Sequence, residues 1–229
     1  GLLKVLGRLL SPRKRRGKAG GRLPWLQSHL ARHKQSEALE LLAMKIIPRV
    51  GIVRTEVEAS LDRLEIRLND SRHLAGDSGR RDGSLMARLG EREGHMPMTV
   101  ISPPLMDARD SLEGLRGLLQ TCADLLEDDS FEPEVEYQAG LAEIKSALRA
   151  VREQIQSVDF VLGAGGGIQP WVEMTTKPQK QLLVRAAPLK VDELLAEHLY
   201  RPLSTVIQTS ATLRVGESWS FLADRLGWD

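Results

Sequence analysis

Tyr137 to Val158 reads Y-Q-A-G-L-A-E-I-K-S-A-L-R-A-V-R-E-Q-I-Q-S-V. Its apolar side chains fall at Tyr137, Leu141, Ile144, Leu148, Val151, Ile155 and Val158, in alternating steps of four and three. A helix turns once every ~3.6 residues, so this spacing lays one apolar stripe along a helix. Such a stripe needs a partner. Leu112, Leu115, Leu119, Cys122 and Leu126 supply one just upstream, and the acidic Glu127-Asp128-Asp129 turn separates the two. Two heptad-like helices joined by a short turn predict an antiparallel hairpin.

Further upstream, Leu39, Leu42, Ile46, Val50, Val53, Val57, Leu61, Leu64 and Leu68 form a third stripe, against which the hairpin is expected to pack. Pro48 falls inside it and has no backbone N–H, which predicts a kink or break near Ile47. Leu23 to His33 also reads as helical, and Gly1 to Leu10 as a short amphipathic helix ended by Ser11-Pro12. Residues 1–165 are thus expected to form one helical domain, with a basic loop at 11–22 and a long exposed loop at 69–98. Met98 to Ile101 reads as a brief strand. Ser102-Pro103-Pro104 then opens the next helix, with Asp107 or Asp110 available to cap it.

The pattern changes at Gly163 to Gly167, and residues 166–229 read as an α/β segment. Ile168–Thr175 and Gln181–Ala187 are strand-like, Val191–Tyr200 is a short helix, and Ser204 to Val215 reads S-T-V-I-Q-T-S-A-T-L-R-V. Thr205, Val206 and Ile207 are β-branched, so a strand is expected to end near Gln208 and deliver Thr209, Ser210 and Thr212 at a sheet edge. The predicted fold class is mainly α, a helical bundle followed by a small α/β segment.

The word T-S-A-T-L resembles motif III of superfamily 2 helicases. Ala187-Pro188-Leu189-Lys190-Val191, Leu199-Tyr200 and Arg225-Leu226-Gly227 flank it in an order that resembles the DinG/XPD branch of ATP-dependent DNA helicases. The close resemblance covers about Ile168 to Trp228, and the helical region matches in pattern only. It implies an arch-like helical insertion followed by part of a motor sheet. It also implies that Thr209, Ser210, Ala211 and Thr212 couple ATP hydrolysis to movement along the strand. ATP and Mg²⁺ would serve the full-length parent; whether that parent holds an iron–sulfur cluster is left open. The phosphate loop, the magnesium carboxylates and the late arginines of such motors are not in these 229 residues, so the segment alone is expected to be inactive.

Charge is lopsided although the net is +1. Gly1 to Ser36 holds ten Lys/Arg and no Asp or Glu, whereas from Leu105 to Phe160 thirteen acidic residues face five basic ones. Phosphate backbones should avoid the acidic face. The basic loop carries Arg13, Lys14, Arg15, Arg16 and Lys18 and is open to three readings: a phosphate-contacting loop, a solvated linker or a targeting signal. A single cysteine, Cys122, excludes an internal disulfide and any cluster site built from this chain's own thiolates. It lies on an apolar stripe and reads as a core residue. No apolar run approaches the ~20 residues of a membrane span. A cytoplasmic, nucleoid-associated location is expected. The chain starts with Gly and stops one residue after Gly227-Trp228, and we read it as a segment of a longer protein.

Two other features invite chemistry and do not support it. Gly163 to Gly167 follows a helix and leads to Ile168-Gln169-Pro170, whereas a phosphate loop follows a strand and ends in Gly-Lys-Ser/Thr. His29, His33 and Glu37 share a helical spacing, but Arg32 and Lys34 crowd them and no fourth ligand is near. Two functional classes follow. The first is a segment of a 5′-to-3′ DNA helicase, a DNA-repair type of activity, contacting single-stranded DNA. The second is a non-enzymatic helical module that binds nucleic acid or protein, which explains the basic arm and the heptads but not A-P-L-K-V and T-S-A-T-L.

Overall fold

The computed structural model describes residues 23, 26–28, 31, 36–78, 84–128, 135–163, 165, 167–175, 181–209 and 219–227. The helical stripes become α1 (Ser36–Glu40), a π-helical turn (Leu41–Ile46), α2 (Ile47–Asp70), α3 (Ser102–Asp128) and α4 (Val135–Leu162). A three-stranded sheet holds β1 (Leu85–Arg88), β2 (Ile168–Thr175) and β3 (Gln181–Pro188). The short α5 (Asp192–Leu195), a π turn (Ala196–Tyr200) and α6 (Ser220–Leu226) follow. The architecture is mainly α with a small α/β part.

Pro48 acts as expected in place but not in form. The turn before it widens, and the Ile47 N–H donates to the Leu42 carbonyl, five residues back. Pro48 then sits in the first turn of α2, where its missing N–H costs least. The helical path continues without a break.

α3 lies between α2 and α4, and each packs against it. Val50, Val53 and Val57 from α2, Leu112, Leu115, Leu119, Cys122 and Leu126 from α3, and Ile144, Leu148, Val151 and Ile155 from α4 form one buried core. Burying each such side chain contributes about 1.5–3 kcal/mol. Leu23 and Leu26 are buried in the same core. Polar bridges fix the antiparallel register. Along the α3–α4 seam Lys145 pairs with Glu127, Arg152 Nη2 donates to Gln120 Oε1 (2.5 Å), and Arg109 Nε donates to Asp159 Oδ1 (2.6 Å). Along α2–α3, Arg63 Nη2 donates to Asp107 Oδ2 (2.8 Å). Helix α3 begins at Ser102, so Asp107 and Asp110 lie beyond its first turn and do not cap it; Asp107 receives Arg63 and Asp110 receives Arg109.

The sheet is antiparallel in the order β1-β2-β3. Leu85, Ala87, Val172 and Met174 turn to its inner face, where they meet Leu64 and Leu68 of α2, Leu105 of α3 and Val161 of α4. The sheet thereby closes one end of the helical layer. It draws on residues from both sides of position 165.

Three local expectations are corrected. The span 69–98 is not one long loop: a 3₁₀ turn (Arg72–Ser78) and β1 occupy much of it, because Leu85 and Ala87 gain burial by pairing with β2. Met98–Val100 is a 3₁₀ turn rather than a strand, since the Val100 and Ile101 N–H groups donate to Pro97 and Met98 carbonyls. Residues 205–209 adopt no strand, and Ile207 is 84% exposed. Side-chain shape favours an extended chain there, but a strand needs a neighbour for its backbone groups, and among the described residues none pairs with it.

Candidate nucleic-acid interface

The α/β end is organised by two contacts. Helix α6 closes on Gly227, whose φ of 70° is left-handed and whose N–H donates to the Ala223 carbonyl at 2.8 Å. A β-carbon at Gly227 would stand 2.5 Å from the Asp192 carbonyl oxygen, so only glycine lets α6 approach α5 this closely. The second contact is Gln208 Nε2 donating to the Tyr200 hydroxyl at 2.8 Å. It ties the irregular segment before Thr209 to the π turn at Ala196–Tyr200.

Thr209 follows this tether and is exposed. Ser210, Ala211 and Thr212 lie outside the described residues, as do Arg13, Lys14, Arg15, Arg16 and Lys18 of the basic loop. Of the metal candidates, Glu37 is described and exposed, while His29 and His33 lie outside. Among the described residues no three His, Cys, Asp or Glu side chains cluster as metal ligands.

The helical hairpin carries much of its acidity in internal pairs. Hydrogen bonds from Arg109 to Asp159 and then to Asp110 hold its guanidinium charged and push its pKa up. Arg116 donates to Glu113 Oε1 through Nε and Nη2 (2.8 and 2.6 Å), which lowers the Glu113 pKa. Cys122 is fully buried in the core, and desolvation pushes its thiol up to about 11, so it stays protonated and inert at neutral pH.

No family model matches the chain. Over 87 residues it is 30% identical to the 3′-5′ exonuclease DinG of Bacillus subtilis (strain 168). That stretch is 37% of this chain and 9% of DinG, so the chain spans less than a tenth of the curated relative's length. A distant DinG-like relationship follows, and with it a link to nucleic-acid enzymes. No helix among the described residues is long and apolar enough to cross a membrane.

The sequence reading missed one constellation. On the outer face of the sheet, Trp171 Nε1 donates to Glu173 Oε1 at 2.7 Å, and Arg185 Nε stands 3.5 Å from the same oxygen. Trp171 lies directly across from Arg185 on β3 and from Arg88 on β1. The signal was the W-V-E spacing of β2, which places Trp171 and Glu173 on one face of a strand. The arginines were beyond reach until the strand register was known.

Proposed function

We propose that this chain is the helical, arch-like region and motif III portion of a DinG-like ATP-dependent DNA helicase with 5′-to-3′ polarity, acting in the cytoplasm at the nucleoid. The likeness to DinG carries the reading, and the motif order A-P-L-K-V, T-S-A-T-L and R-L-G agrees with it. Arg13, Lys14, Arg15, Arg16 and Lys18 meet single-stranded DNA phosphates, where bound cations are released and affinity falls with salt. Thr209, Ser210, Ala211 and Thr212 relay the nucleotide state. The hydroxyls of Thr209, Ser210 and Thr212 are small donors and acceptors that need no large movement to change partner. ATP and Mg²⁺ would serve the motor of the helicase that carries this segment.

The test is Ser210→Ala with Thr212→Ala in the helicase that carries this segment, read as base pairs unwound per ATP consumed. Coupling residues lower that ratio while hydrolysis persists. Equal loss of unwinding and hydrolysis assigns the hydroxyls a structural part, and no loss of either removes motif III from the reading.

A further inference from the structure

The C-terminal half of α4 and the edge of the sheet enclose an open cleft of about 650 Å³. Phe160, Gln156, Ser157 and Glu153 line it from α4, and Trp171 and Arg185 line it from the sheet. Phe160 is 43% exposed, a large aromatic ring left to water at the end of a helix whose other apolar residues are mostly covered. Trp171 is half-buried, and its indole N–H is already held by Glu173. The same carboxylate faces Arg185, so Glu173 fixes both the ring and the cation beside it. Arg88, on the opposite neighbouring strand, is exposed.

Two aromatic rings, an amide, a hydroxyl and Arg185 in one cleft, with Arg88 across from Trp171 on β1, match the needs of an unpaired nucleotide. The faces of its base stack on aromatic rings, the base edge takes hydrogen bonds and the backbone phosphates seek cations. A cleft of about 650 Å³ is of the size that holds a small ligand such as one base with its sugar. Charge separates the two sides: Glu153 makes the α4 side acidic, while on the sheet the Arg185–Glu173 pair leaves Arg88 as a further exposed cation, so phosphates run along the sheet.

We propose that this cleft holds one unstacked base of a single-stranded nucleic acid, stacked on Trp171 and Phe160, with Arg185 and Arg88 toward its phosphates and Glu173 as the positioning residue. The inference rests on the nucleic-acid reading above and assigns it residues other than those of the basic stretch and T-S-A-T-L.

The experiment is fluorescence anisotropy of end-labelled 20-nucleotide oligothymidylate and oligouridylate with the 229-residue chain and its Trp171→Ala, Trp171→Phe and Phe160→Ala variants at one salt concentration. Loss of one stacked base predicts roughly ten-fold weaker binding for Trp171→Ala and Phe160→Ala, with Trp171→Phe within a few-fold of the parent. A drop with either oligomer supports the site, and the pair of oligomers shows which sugar it accepts. Circular dichroism confirms folding; should Trp171→Ala fail to fold, the more exposed Phe160→Ala decides. Parent-like binding by the folded alanine variants overturns the cleft and leaves the nucleic-acid reading intact. Failure of the unsubstituted chain to bind either oligomer overturns both.

Discussion

Gly227 meets Asp192 so closely that a β-carbon there would lie 2.5 Å from the Asp192 carbonyl oxygen, and its φ of 70° is one that other residues rarely adopt. Gly227→Ala therefore carries two costs, a left-handed backbone worth about 1–2 kcal/mol and a backbone clash. Because the main partner of α6 among the described elements is α5, the loss is local. Hydrogen exchange should quicken across 219–227, while the main melting transition of the bundle stays in place.

The α3–α4 seam gives a global counterpart. Leu148 is 5% exposed in the core it shares with α3. Leu148→Asp would bury a carboxylate without a partner and cost several kcal/mol, about 3–5. Circular dichroism melting should show a large fall in midpoint; an unchanged midpoint would contradict the packing of α4.

Arg67 provides a polar test. Its Nε donates to the Val100 carbonyl at 2.9 Å and its Nη2 to the Thr99 carbonyl at 3.0 Å, so one guanidinium closes the 3₁₀ turn that leads into α3. Arg67→Met should cost about 1–2 kcal/mol in denaturant titration. Arg54→Met, which breaks the exposed Arg54–Glu58 pair at 3.0 Å, should change stability by less than about 0.5 kcal/mol.

Cys122 predicts an alkaline weakness. Its thiol is pushed from 9.0 up to about 11 by burial, so the unfolded chain releases this proton first. Above pH 9 the unfolded state binds fewer protons than the folded one, and stability falls as pH rises through the interval to about 11. The contribution is about 2–3 kcal/mol when complete. Unfolding titrations at pH 8 and pH 11 should show a smaller loss for Cys122→Ala than for the unsubstituted chain. Thiol reagents should label Cys122 only under unfolding conditions.

The basic loop makes a prediction about salt. Neutralising Arg13, Lys14, Arg15 and Arg16 should flatten the plot of log K against log salt for single-stranded DNA by up to about 0.7 per lost phosphate contact. An unchanged slope would make the loop a linker.

The long elements were legible because one periodicity decided them. Leu112 to Leu126 and Leu141 to Val158 repeat over several turns, and burial follows that repeat. β1 was not legible, since Leu85 to Arg88 offers only four residues of alternation and its partner lies across the hairpin. Thr205 to Ile207 misled in the opposite sense. Branched side chains favour extension, but sheet formation depends on a hydrogen-bonding neighbour that local sequence does not reveal. The cleft beside Trp171 was hidden for a similar reason: Phe160, Trp171 and Arg185 come from three elements, and only the register of β2 with β3 brings two of them face to face.

The position of β1 also shapes how the chain can fold. Gln169 Nε2 donates to the Leu89 carbonyl, a contact between residues 80 positions apart, and the whole α3–α4 hairpin lies between them. Closing so long a loop at random is slow, because the entropy is lost before the contacts form. An antiparallel hairpin returns the chain close to where it left, so once α3 and α4 have zipped, β1 and β2 are already neighbours. The sheet should therefore assemble late and depend on the hairpin's rate. A variant that slows hairpin formation would delay strand pairing by the same factor, whereas one that weakens β1 alone would quicken unfolding and leave the early phase untouched.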